Sequence, residues 1–237
     1  MVLAVGLSWL FAFIGLTLAQ VRYPHFEILI VSAMMLFFTA WRLGRIPLAA
    51  AALSLALICR EDAGLHIAAF LLVVMVLDHW RGVVRNDRRE TVVFLAIAVA
   101  YSAGALLTTH ILFPHSSSFV RVYLGDPPFH GLTPQLLADR LAAILYGRAY
   151  VVLPALLAMV WATAARNPYI MAGYIACAPW GHVNVMAQSE LAGLLDSYYA
   201  FPFMVAAFWP LIGWSAIEPR PGASREPAES QWSAIFS

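Results

Sequence analysis

Residues 91–113, TVVFLAIAVAYSAGALLTTHILF, run for 23 positions without an Asp, Glu, Lys or Arg. At about 1.5 Å per helical residue, such a run reaches across the ~30 Å hydrocarbon core of a bilayer. It is not an isolated case. The chain is 62% hydrophobic and 11% charged, with a mean hydropathy of +0.77, whereas soluble domains carry about 25% charged residues. The composition therefore predicts an all-α, polytopic membrane helical bundle, with membrane lipid as its surroundings. The net charge of +1 points to no nucleic-acid partner. All 14 basic residues are Arg, and the two cysteines, Cys59 and Cys177, both fall in apolar runs. They suggest neither a disulfide framework nor a metal site.

Eight apolar segments are candidates for spans: 2–19, 26–41, 46–59, 63–78, 91–113, 149–165, 168–187 and 197–217. The first reads as a membrane helix rather than a cleaved signal peptide, because it lacks a basic leading region. Residues 46–80 are too long for one upright helix and fit two short or tilted ones, hinged at Arg60–Asp62. Residues 1–217 then form the transmembrane domain. Residues 218–237, rich in Pro, Glu and Ser, form a disordered cytoplasmic tail. Sorting the arginines by alternate loops places nine on one side (42, 45, 81, 85, 88, 89, 166, 220 and 225) and five on the other (22, 60, 121, 140 and 148). The positive-inside rule puts both termini in the cytoplasm, the expectation being a multi-pass membrane protein.

This orientation collects three charged hairpins, and the loop 114–148, on the outer side. In that loop, Thr133 and Pro134 open a helix as N-cap and first residue. Leu137, Leu141, Ile144 and Leu145 share one face of it, with Asp139 and Arg140 elsewhere. The pattern predicts an amphipathic helix on the membrane surface; a polar extension of the next span is the alternative. The hairpins are "YPHFEI" (23–28), "CREDAGLH" (59–66) and "LLDSYYAFPF" (194–203).

Each hairpin admits a plain structural account. Acids at a helix start are stabilised by its dipole, as is a cation at a helix end, so Arg60, Glu61 and Asp62 could be a well-capped turn. Ionisable groups at membrane depth also mark sites. His66, one turn from Asp62 on the same face, is not needed by a capped turn. His25 and Glu27 are two apart and share no helical face. Glu27 is the first choice of partner for Arg60. Tyr198 and Tyr199 suit an interfacial belt whatever their role.

In order and spacing, these three motifs resemble the C-terminal half of the bacterial membrane proteins classed as domain of unknown function 2079, distant relatives of the GT-C glycosyltransferases. That family shows a His-Pro-Glu-like motif opening a span, matched here by "YPHFEI". About 35 residues later it shows Lys-Glu-Asp before a glycine-containing helix, matched by "CREDAGLH" with Arg60 in place of the lysine. Near its end it shows His-Tyr and a proline, matched by "SYYAFPF" with Tyr198 for the histidine. The resemblance covers roughly residues 20–215.

The resemblance implies a GT-C-like transferase that takes sugar from a polyprenyl-phosphate-linked donor. Arg60 would hold the departing phosphate. Glu61 or Asp62 would orient the acceptor or hold a divalent ion; no other cofactor is identifiable. His25, Glu27, His66, Tyr198 and Tyr199 would line the substrate cavity. The acidic first outer loop of such enzymes would precede residue 1, so a partner chain supplying the missing N-terminal helices is a further expectation. Two rival readings are a transporter or carrier subunit with a path along the acids and His66, and a non-catalytic membrane subunit or remnant.

Overall fold

The computed structural model describes residues 29–60, 62–83, 87–113, 123–125, 127, 129–200, 202–203 and 205–206. Among these the chain is helical, with no strand. The helices are α1 (Leu29–Arg42), α2 (Ile46–Cys59), α3 (Ala63–Arg81), α4 (Arg88–Leu112), α5 (Pro134–Gly147), α6 (Ala149–Ala164), α7 (Ala172–Met186) and the short α8 (Glu190–Gly193). Two 3-10 turns, Pro168–Met171 and Ser197–Ala200, precede α7 and follow α8.

Local chemistry sets the breaks. Gly44 ends α1 in the left-handed region at φ 70°, where an L side chain is strained. Pro47 then stands in the first turn of α2, where its missing N–H costs nothing. Gly82 closes α3 at φ 66°, its N–H reaching the Asp78 and His79 carbonyls. The Thr133 hydroxyl accepts from the Leu136 N–H at 3.1 Å, and Pro134 opens α5, as the sequence predicts. The hinge expected between residues 59 and 63 is also present: α2 stops at Cys59 and α3 starts at Ala63.

Helices α3 and α4 are long and apolar enough to cross a membrane. The pair α5–α6 would be a third such span if its 81° bend lay within one crossing. Helices α1 and α2 are apolar but have 14 residues each. Eight expected spans thus reduce to two or three by length and composition among the described residues. The segment 2–19, most of 197–217 and the tail 218–237 lie outside those residues.

Packing follows the apolar faces. Phe37, Phe38 and Trp41 of α1 are buried with Ile67, Leu71 and Val74 of α3. Phe94 of α4 meets the Phe37 ring edge-on at 5.3 Å. On α4 only Thr91, Phe94, Ala98 and Ser102 are buried, a single 3.6-period stripe. Val92, Val93, Ile97 and Val99, among others on that helix, are exposed hydrocarbon. Gly64 of α3 lies directly against that stripe: a Cβ there would overlap the Ala98 carbonyl oxygen and come within 2.6 Å of Ser102 Oγ.

Helices α3 and α7 run antiparallel, and two contacts fix their register. His66 meets Trp180 at one end. At the other, the Tyr169 hydroxyl donates to Asp78 Oδ1 at 2.6 Å, both residues buried. The ends of the bundle alternate accordingly. Arg81 Nη2 reaches the Arg166 carbonyl at the Asp78 end. The Arg60–Asp62 turn, Tyr123 and residues 187–196 gather at the opposite end.

Candidate functional site

Asp62 is the last residue before α3, and its side chain makes no cap hydrogen bond to the helix. Both carboxylate oxygens turn to Arg60 instead. Arg60 Nε donates to Oδ1 at 2.7 Å and Nη2 donates to Oδ2 at 2.6 Å, a fork-to-carboxylate pair. Asp62 stands at the start of α3, where the dipole account puts an acid, but its carboxylate goes to a cation two residues away and makes no cap hydrogen bond to the backbone. The reason is local. Asp62 itself has helical φ −92° and ψ −6°, whereas a capping side chain works from an extended residue. Arg60 is extended, at φ −153° and ψ 144°, which folds its side chain back over the turn.

His66 follows one helical turn later. Its Nε2 lies 3.7 Å from Asp62 Oδ2, an ion pair when the ring is protonated. The imidazole packs edge-on against Trp180 of α7 at 4.9 Å. Trp180 meets Tyr123 at 5.4 Å, and Tyr123 meets Tyr199 at 6.4 Å. Burial pushes the Asp62 carboxyl up. His66 and the Arg60 guanidinium outweigh that effect and hold it well below the usual range, at about 2. A carboxyl so held, with both oxygens occupied, positions its neighbours and is a poor proton acceptor near neutral pH.

Beside this pair lies a groove. Arg60 and His66 line one part of it with Ile30, Met34, Pro202 and Val205, a narrow depression. Met34, His66, Pro202 and Val205 also line the adjoining apolar hollow, which lies between α1, α3 and α7 and reaches Phe70, Gly173 and Cys177. Cationic and imidazole groups thus stand at one end of a hydrocarbon-walled slot.

A second cluster at this end of the bundle is built on arginines. Arg140 of α5 is buried, and its Nη1 donates to the Val185 and Ala187 carbonyls at 2.7 and 2.5 Å. These are C-terminal carbonyls of α7, where a cation is favoured. Gly193 permits the approach, since a Cβ there would fall 2.6 Å from the Arg140 guanidinium. Arg148 pairs with Asp196 at 2.9 Å and donates to the Leu194 carbonyl at 3.2 Å. Both arginines staple the outer loops to the bundle.

Of the residues singled out by sequence, Arg60, Asp62 and His66 converge. Tyr199 joins them indirectly, through Tyr123 and Trp180. His25, Glu27 and Glu61 lie outside the described residues, as does the side chain of Tyr198. Among the described residues no group of three His, Cys, Asp or Glu side chains could hold a metal ion. Sequence reasoning missed Trp180, Arg140 and Asn184. Asn184, one turn beyond Trp180, is fully buried with no hydrogen-bond partner for its amide among the described residues. The signal for Trp180 was present in "APWGHVN": an indole beside a mid-helix proline, Pro179, in an otherwise small-residue helix. Comparison with protein-family models, curated proteins and solved structures finds no match.

Proposed function

We propose that this chain is a polytopic bacterial inner-membrane protein of about eight spans, GT-C-like, serving transfer of sugar from a polyprenyl-phosphate-linked donor. The observation that carries the reading is the groove: a guanidinium and an imidazole at the mouth of an apolar slot match an amphiphile with an anionic head and a hydrocarbon chain. In this reading Arg60 meets the phosphate, where positive charge stabilises the leaving group. Asp62 fixes the plane of the guanidinium, Glu61 orients the acceptor hydroxyl, and His25, Glu27, Tyr198 and Tyr199 belong to the acceptor side. The nine-to-five division of arginines supports cytoplasmic termini and an outward-facing groove mouth.

A proton or solute path along α3 is less well supported. Between His66 and Asp78 the helix presents eleven consecutive apolar residues, Ile67 to Leu77, and a relay needs ionisable groups within reach of one another. The test of the transferase reading is transfer of radiolabelled sugar from a polyprenyl-phosphate-sugar in proteoliposomes. Wild-type protein transfers label and Arg60→Ala loses at least about tenfold, the value of one charge-assisted contact to a transition state. Equal transfer by the two proteins overturns the assignment.

A further inference from the structure

Helix α5 has three distinct sides. One is held to the protein by Arg140, through the Val185 and Ala187 carbonyls, and by buried Ile144. A second carries the exposed pair Gln135 and Asp139, hydrogen-bonded to each other at 2.8 Å. The third carries Leu141, 50% exposed, and Leu145, 58% exposed, with exposed Ala138 beside them. At about 100° per residue, these three fall within one 60° arc, distinct from both other sides. The protein therefore grips this helix by a cation and leaves Leu141 and Leu145 uncovered.

The helix then turns by 81° into α6, whose exposed Leu153, Leu156, Leu157 and Val160 continue the uncovered hydrocarbon. We infer that α5 lies flat in the headgroup layer of the outer leaflet, with Leu141 and Leu145 toward the acyl chains and Asp139 toward water. The occupant of the leucine face is lipid rather than a protein, because α6, which follows directly in the chain and makes with α5 a candidate bent span, also leaves a run of large apolar side chains uncovered. An amphipathic helix parallel to the bilayer plane buries such a stripe at the boundary of headgroups and chains. The groove mouth at Arg60, stapled to the same end of the bundle through α7, then opens at headgroup depth. The inference uses the membrane reading of the chain and is independent of any sugar chemistry.

The test is depth. Full-length protein carrying Leu141→Cys, Leu145→Cys or Asp139→Cys is labelled with an environment-sensitive fluorophore and reconstituted in phosphatidylcholine vesicles. Unsubstituted protein, whose Cys59 and Cys177 are buried, gives the background. Lipids brominated near the glycerol end should quench positions 141 and 145 several-fold more than position 139, and aqueous iodide should show the reverse order. Equal iodide quenching at all three positions places α5 in water and overturns the inference. Strongest quenching by lipids brominated near the chain ends makes α5 part of a span, and also overturns it. Protection of 141 and 145 from both quenchers means that a protein covers the face, which overturns it as well. Loss of sugar transfer leaves the depth result untouched, so the two proposals fail separately.

Discussion

Asp62 joins Arg60 and His66 at one end of the bundle through a single carboxylate. Its folded value, about 2, lies below the ordinary 3.8. A group depressed on folding stabilises the native state above its unfolded value and loses that contribution as pH falls through its folded value. The window is thus about pH 4 down to 2, across which about 2 kcal/mol is lost. Asp62→Asn should remove this acid-sensitive increment. It should also cost about 3 kcal/mol at neutral pH, toward the low end for breaking a buried pair because Arg60 keeps some exposure. Unfolding midpoints in detergent from pH 2 to 7 check both statements. An Asn variant with an unchanged midpoint at pH 7 would show that the pair contributes nothing.

At the scale of elements, the closest approach in the bundle rests on a missing side chain. Gly64 lets α3 meet the backbone of α4 at Ala98, and Ser102 fills the adjoining space. Gly64→Val drives a β-branched side chain into a carbonyl and should lower stability by about 2 kcal/mol, within the usual range for overpacking. Gly104, on the same helix as Ala98 but with nothing within 4 Å, is the control. Gly104→Ala should be neutral or gain up to about 1 kcal/mol from helix propensity. Thermal midpoints of the two variants in the same detergent decide between a packing role and a generic effect of removing glycine. This contact was invisible in the sequence, where Gly64 reads as one more small residue after the charged triplet. The helix starts were legible, because Pro47, Thr133 and Pro134 act through the backbone next to them. The break at Arg60–Asp62 was legible for another reason, the length of the run 46–80, which is too long for one upright helix. What the triplet does there was not: a carboxylate before a helix reads as a cap, and only φ and ψ at positions 60 and 62 turn it toward the arginine. The contacts of Trp180 and Arg140 were illegible because their partners lie far away in the chain, at His66 and at residues 185–187.

For the molecule as a whole, alternation of the ends is the feature with most reach. Residues 165–167 lie with the Arg81 turn, and residues 133–135 lie with the opposite set of loops. Single cysteines at the exposed positions Ala165 and Gln135 should therefore react with a membrane-impermeant maleimide from opposite faces, Gln135 from the periplasmic side of intact cells and Ala165 only after permeabilisation. Reaction of both from one face would contradict alternation, and the reverse order would invert the proposed orientation without disturbing the fold.

Helices of unequal length stand next to one another in this bundle. Helix α4, with 25 residues, is about 37 Å long, and α2, with 14, about 21 Å. A lipid core of ~30 Å matches neither. If α2 and α4 both crossed such a core, as the proposed eight-span reading has it, the bilayer would have to compress on the α2 flank while α4 leaned over on its own, each at a modest elastic cost per ångström. The annulus of lipid would then be lopsided, thinnest beside Leu48, Leu55 and Ile58, the exposed edge of α2. That edge ends next to Arg60, so in that reading a dimple in the leaflet would bring phosphate-bearing headgroups toward the guanidinium at the end of the short helix.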